Sequence, residues 1–141
     1  MAYEIVKTIV VEAPPSQVFK ALTDEKDLVQ WMPKEAKMDA RLGGEYEFKF
    51  YWAAKNAESV ARGKIVELVP DKKLAYTFFS TNDPSSRASL LTWTLDELHD
   101  GSTRVTLVHS GIQGERGERY SGWGYFLGQL SSYCAKIRVS N

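Results

Sequence analysis

The sequence predicts an α+β domain. A curved antiparallel sheet of about six or seven strands is wrapped around one long C-terminal helix, with two short helices after the first strand. Three observations predict it. From Tyr120 to Ile137 the apolar residues Trp123, Phe126, Leu127, Leu130, Tyr133, Cys134 and Ile137 recur at helical spacing, opposite a polar side of Gly128, Gln129, Ser131, Ser132 and Lys136. Between Gly44 and His109 the period changes to two, the mark of strands with one buried face. A one-faced sheet twists and curls, and a single long helix laid across its concave side would cover it.

The elements follow in order. Tyr3 to Glu12 alternates and is rich in β-branched residues, which predicts a strand. Ala13-Pro14-Pro15-Ser16 ends it, with Pro15 suited to the first turn of a helix carrying Val18, Phe19 and Leu22. A second short helix over Glu25 to Trp31 stops before Pro33. After Gly43-Gly44, Tyr46, Phe48, Phe50 and Trp52 alternate with Glu45, Glu47, Lys49 and Tyr51. Lys55-Asn56-Ala57-Glu58 reads as a turn, and Val60 to Val69 as a strand whose facing stays open, because Ile65, Val66 and Leu68 do not alternate. Leu74 to Phe79 is a further strand, Asn82-Asp83-Pro84-Ser85 a turn, and Leu91, Trp93 and Leu95 line one side of the next strand. His99-Asp100-Gly101 makes a tight hairpin into Thr103 to His109, with Gly111 to Gly117 as the loop before the last helix and Ser121 as its cap.

At 141 residues the chain reads as a single domain spanning residues 1–141, long enough to bury a core. Eighteen basic and eighteen acidic residues balance, which argues against nucleic acid or an anionic membrane as main partner. No apolar run approaches the ~20 residues of a membrane span, and the N-terminus shows no secretory pattern. The single cysteine, Cys134, sits on the apolar stripe and reads as a buried, inert thiol in a cytoplasmic protein. Two histidines and one cysteine without a carboxylate cluster predict no metal site, and no nucleotide-binding or serine-hydrolase motif indicates a cofactor or catalytic residue.

The inward-facing set is rich in aromatic rings: Tyr46, Phe48, Phe50, Phe78 and Trp93 from the strands, Trp31 from the second helix, Trp123 and Phe126 from the last. Leu127 and Leu130 complete the helix's side. So many rings are hard to pack against one helix stripe without a void, so these residues are candidate walls of an apolar cavity as well as core. His109, in phase with Val105 and Leu107, points inward, where it meets either a ligand carbonyl or a neighbouring hydroxyl. His99 reads as solvated. Ser110 follows His109 directly, and adjacent strand residues face opposite ways, so the two make no nucleophile–base pair. Glu115 to Arg119 is a charge cluster leading into the last helix.

In order and spacing these segments resemble the START-like, helix-grip superfamily (polyketide cyclase / birch-pollen-allergen-like), in the branch similar to the C-terminal domain of the heat-shock protein 90 ATPase activator. The residues that carry the resemblance are Ala13-Pro14-Pro15 with Val18-Phe19 and Ala21-Leu22-Thr23, then Trp31, then Asp39 to Tyr46. Gly63 to Pro70 with Leu74 to Phe78, Thr103 to Leu107 with His109-Ser110-Gly111, and Gly122-Trp123 continue it. The resemblance implies a helix-grip fold with a tunnel between sheet and helix that often encloses a hydrophobic ligand; a few distant relatives catalyse cyclisation or hydrolysis there. The activator's separate N-terminal domain with its Asn- and Trp-rich motif has no counterpart in these residues.

The expectation is therefore a carrier or sensor of a hydrophobic or aromatic small molecule, non-enzymatic, monomeric or homodimeric. Two alternatives stand beside it. One is a co-chaperone-like module with a chaperone partner; the other is a cyclase- or hydrolase-like enzyme using His109 and Tyr46 in the same cavity.

Overall fold

The computed structural model describes residues 2–52, 57–80, 89–113 and 123–140. Strands β1 (Ala2–Val11), β2 (Glu35–Met38), β3 (Glu45–Trp52), β4 (Ala57–Val69), β5 (Lys73–Ser80), β6 (Ser89–Glu97) and β7 (Thr103–Gln113) form one antiparallel sheet in the order β1-β7-β6-β5-β4-β3-β2. Helices α1 (Pro15–Thr23) and α2 (Glu25–Leu28) follow β1, and α3 (Trp123–Ser140) ends the chain. The predicted α+β helix-grip architecture is the one observed. Turn Lys55-Asn56, turn Asn82 to Ser85, cluster Glu115 to Arg119 and cap Ser121 lie outside the described residues, as do the side chains of Trp52 and Ile137.

The strands form where the alternation placed them. On β3, Tyr46, Phe48 and Phe50 are buried while Tyr51 faces out; on β6, Leu91, Trp93 and Leu95 are buried; on β7, Val105, Leu107 and His109 are buried. Four local corrections apply. Ala57 and Glu58 open β4 instead of turning the chain, pairing with Trp52 and Tyr51. The segment Gly111 to Gln113 continues β7, held by Tyr3 and Ala2 of β1. The short edge strand β2 was not foreseen; four residues reading Glu-Ala-Lys-Met carry no alternation that separates a strand from a loop. Helix α2 also stops at Leu28, with turns carrying the chain to Trp31.

The open facing of β4 has a specific cause. Ser59, Ala61 and Ile65 are buried, and the register with β5 then shifts between Ile65 and Glu67. The extra residue, Val66, is a bulge and is exposed, and Leu68 takes up the inward phase. Just before the bulge, side chains replace part of the ladder: the Tyr46 hydroxyl donates to the Thr77 carbonyl at 2.7 Å, and the Lys64 N–H donates to Thr77 Oγ1 at 2.9 Å.

Capping explains the α1–α2 corner. Pro15 starts α1, and Asp24 ends it by donating its N–H to Lys20 O, then caps α2 through Oδ1 to Lys26 N at 2.8 Å. Glu25 Oε2 accepts from Met38 N at 2.8 Å, tying α2 to β2. The α1–α2–α3 junction is polar. Tyr133 donates to Asp27 Oδ1, and Lys20 Nζ stands 3.2 Å from Asp27 Oδ2.

Both sheet edges are blunted. At one, β2 is only four residues long; at the other, β1 carries Lys7 in phase with the inward Ile5 and Ile9, opposite Leu107. A charge on the inner side of an edge strand discourages pairing with another chain. At the β6–β7 hairpin, Gly101 takes φ 87°, and Asp100 accepts from Ser102 N–H at 3.0 Å and Ser102 Oγ at 2.5 Å. Those two bonds hold the exposed Asp100 carboxyl below the usual carboxylate range.

Cys134 on α3 is fully buried. Burial, and behind it the Asp27 carboxylate, push its thiol up to about 12. Burial likewise raises Tyr76, and raises Tyr46 with Tyr76 adding to it. Each of these groups must ionise to charge, so folding opposes ionisation. Stability is complete below the unfolded thiol value near 9 and falls as pH rises towards 12, by at most ~4 kcal/mol from Cys134. The expected result is a urea midpoint flat from pH 6 to 8 and falling steeply above 9. It is accompanied by a thiol that reacts with Ellman's reagent at pH 8 only after unfolding. A thiol titratable in native protein at that pH would contradict this packing.

Candidate functional site

The aromatic side chains from strands and helices meet as a contiguous set. Trp31 sits edge-on to Trp93 at 6.1 Å and donates its Nε1–H to Ala21 O at 2.9 Å. Trp93 is edge-on to Trp123 at 6.0 Å and donates to the Tyr76 hydroxyl at 3.0 Å. Tyr76 packs on Tyr46 at 4.5 Å, Tyr46 on Phe48 at 4.8 Å, and Phe48 on Phe50 at 6.5 Å. Phe50 reaches Phe126 at 5.8 Å, and Phe126 reaches Trp123 at 6.1 Å, closing a circuit between sheet and helix. Trp31–Trp93, Trp93–Trp123, Phe48–Phe50 and Trp123–Phe126 are edge-to-face and the other pairs tilted; edge-to-face contacts at these separations are worth up to ~1.5 kcal/mol per pair beyond burial.

Burial is graded along this set. Trp93 and Phe48 are 0% exposed and Tyr76 2%, whereas Phe50 keeps 8%, Phe78 6% and Trp123 5%, and Phe126 is half-buried. Trp31 and Tyr46 keep 3%, so Phe126 on the first turn of α3 is the one ring of this set that is not buried. Leu127 and Leu130, further along α3, are buried at 1% and 0%. The predicted site residues thus form a packed interior with Phe126 at its half-buried margin.

His109 lies behind that margin, fully buried, with Phe78 edge-on at 5.1 Å and Trp123 at 5.9 Å. Trp123 Nε1–H donates to His109 Nδ1 at 3.0 Å, and His109 Nε2 stands 2.6 Å from Ser89 Oγ. An indole N–H only donates, so Nδ1 is the accepting nitrogen and the neutral ring carries its proton on Nε2. Nε2–H then donates to Ser89 Oγ, and the Ser89 hydroxyl donates to the Phe78 carbonyl at 3.2 Å. The chain Trp123–His109–Ser89–Phe78 runs in one direction. In this tautomer the imidazole has no lone pair facing Ser89, so the pair is not a general base and its nucleophile. Of the two expectations for His109, the neighbouring hydroxyl is the one present.

Ser89 was missed at the sequence level. It precedes the alternating run Leu91-Trp93-Leu95 by one step of two, so its inward facing was available from periodicity, but a small hydroxyl carries no pattern of its own. The hydroxyl of Tyr46 is engaged with Thr77, and His99 is exposed. Among the described residues no group of three or more His, Cys, Asp or Glu side chains gathers to hold a metal, and no helix is long and apolar enough to cross a membrane.

Two surface grooves are also present. One of about 690 Å³ lies between the start of α1 and the β4–β5 turn, floored by Pro14, Pro15, Val69 and Leu95 and rimmed by lysines and carboxylates. The other, about 470 Å³, lies over β2, β3 and β4 beside Lys37, Glu47, Arg62 and Lys64.

Comparison with known proteins adds to this geometry. The model of the activator of Hsp90 ATPase homolog 1-like family matches residues 12–135, nearly the whole chain. The chain belongs to that family. No curated protein matches it. Among solved structures, it is similar to protein CV1439 from Chromobacterium violaceum, at 29% identity over 93% of this chain and 96% of that one, with a TM-score of 0.79. The Aha1 dimer from Colwellia psychrerythraea is 19% identical over 94% and 96%, with a TM-score of 0.78. CalU16 from Micromonospora echinospora is 24% identical over 94% and 74%, with a TM-score of 0.76. These last two share the fold. Family membership accounts for the order of elements described above, and leaves ligand and partner to be argued from the site.

Proposed function

We propose that this protein is a cytoplasmic carrier or sensor of a neutral aromatic or apolar small molecule, admitted between the sheet and the first turn of α3. The observation that supports this reading is the run of apolar rings at this margin: Phe126 is half-buried, and the Phe50, Phe78 and Trp123 around it are buried but less completely than Trp93 and Phe48 behind them. These are apolar walls that include one half-buried ring, Phe126, packed between Phe50 and Trp123. The polar groups behind them, Trp123 Nε1, His109 and Ser89, already hold one another. A ligand therefore gains contact area and no charge pairing, which selects a neutral molecule.

The test uses N-phenyl-1-naphthylamine, a neutral fluorescent probe. Saturable binding is expected, with a shift of the Trp123 indole N–H resonance, and Phe126→Ala is expected to weaken it at least fivefold. Absence of saturable binding, or equal affinity in Phe126→Ala, would retire the carrier reading.

Family membership favours a second reading, a co-chaperone-like module that meets a chaperone through its surface. The charged outer side of β3 and β4, with Glu45, Glu47, Lys49, Arg62 and Lys64, offers polar contacts for it. An ATPase assay of a heat-shock protein 90 with and without this chain separates the two readings. A changed rate supports the second, and an unchanged rate alongside probe binding leaves the first.

A further inference from the structure

The outer side of the sheet divides sharply into two halves. Over β2, β3 and β4 it is charged, as described above. Over β1, β7 and β6 the registers build an uncharged lattice: Val6 lies beside Val108 and Thr92, and in the next row Thr8 lies beside Thr106 and Thr94. Val10 and Leu90 extend it at opposite corners; Val6 is 54% exposed, Val10 52% and Leu90 37%. On β5 the buried Ala75 ends the first row beyond Thr92, and Lys73 ends the second beyond Thr94 with a charge. At one end of this lattice stand two exposed opposite charges, Arg104 on β7 and Asp96 on β6, register partners that none of the described ion pairs joins.

We propose that this face is the docking surface for a second copy of the same chain, packed sheet to sheet about a two-fold axis that runs along the strands between β6 and β7. That operation keeps each row opposite itself and exchanges the two strands. Val108 of one copy then meets Thr92 of the other, and Thr106 meets Thr94. Arg104 meets Asp96 of the second copy, and the reverse contact repeats it. The surface is self-complementary in its uncharged valine and threonine rows and in charge, which is what an isologous contact requires. The alternative route to a dimer, adding a strand at the edge, is obstructed by the inward Lys7 on β1 and by the shortness of β2.

Strand and residue spacings make the patch roughly 20 Å along the strands and roughly 14 Å across them. That is small beside the ~800 Å² per partner of a standard stable interface, so the association is a concentration-dependent one.

Sedimentation velocity from 10 to 500 µM tests it, with Arg104→Asp and Asp96→Arg as variants. Both residues are exposed, and circular dichroism melts check that each variant stays folded. The wild type is expected to shift from monomer towards dimer across the range, and each variant alone to need at least a tenfold higher concentration. Mixed one to one, the two variants present complementary charges and are expected to form a heterodimer at the wild-type concentration. A wild type monomeric throughout, variants that dimerise like wild type, or a mixture no tighter than its components would each overturn the proposal.

Discussion

Replacing His109 by Leu is expected to lower the unfolding free energy by about 3 kcal/mol, although the new side chain is apolar and close in volume. The cost is in hydrogen bonding. His109 is the acceptor for Trp123 Nε1–H and the donor to Ser89, both inside the aromatic interior. Removing it strands one donor and one acceptor where water does not replace them, at ~1–3 kcal/mol each. His109→Gln supplies the control. An amide has both an acceptor and a donor, and is expected to recover a good part of the loss. Urea unfolding monitored alongside the Trp123 indole N–H resonance checks both variants. A leucine variant as stable as the parent would show that the chain Trp123–His109–Ser89 holds nothing together.

Gly63→Ala is expected to be comparably damaging, for a steric reason. A Cβ at Gly63 would lie 1.9 Å from the Thr77 carbonyl oxygen and 2.6 Å from Thr77 Oγ1. Backbone has to move, and the atoms in its way are the two that hold Tyr46 and Lys64. A loss of about 2–4 kcal/mol follows from overpacking combined with broken hydrogen bonds. Gly128→Ala on the exposed side of α3 is the contrasting case. Nothing lies within 4 Å of its added methyl, and helix propensity alone favours it by ~0.5–1 kcal/mol. Thermal melts of the pair are expected to move in opposite directions; a Gly63→Ala protein melting with the parent would place β4 differently against β5.

What was legible in the sequence is what period and punctuation encode. Strand β3 declared itself because Tyr46, Phe48 and Phe50 sit two apart with charges between them, and α3 because Trp123, Leu127, Leu130 and Cys134 sit three or four apart; all are buried as expected. The bulge at Val66 was visible only as a broken alternation, because an inserted residue shifts phase without leaving a composition signal. Strand β2 is too short to show a period at all. For the site, the facing of His109 could be read, but its partner could not. Ser89 lies twenty residues away on the neighbouring strand, and only the β6–β7 register, Leu91 opposite His109, brings it within reach. Periodicity assigns sides. It does not assign neighbours.

The pairing of β1 with β7 has a consequence for biosynthesis. Val11 meets Thr103 and Ala2 meets Gln113, so β1, made ahead of the rest of its sheet, has no partner at this edge until some hundred further residues have been made. Closing so long a loop is slow, and the sheet is completed only after β7 has been made. Throughout that wait Ile5, Ile9, Val10 and Val11 travel as an unpaired β-prone segment, with Lys7 in their midst. A positive charge in such a segment is a gatekeeper against nascent chains sticking to one another. The lysine that blunts a finished edge thus also guards an unfinished one.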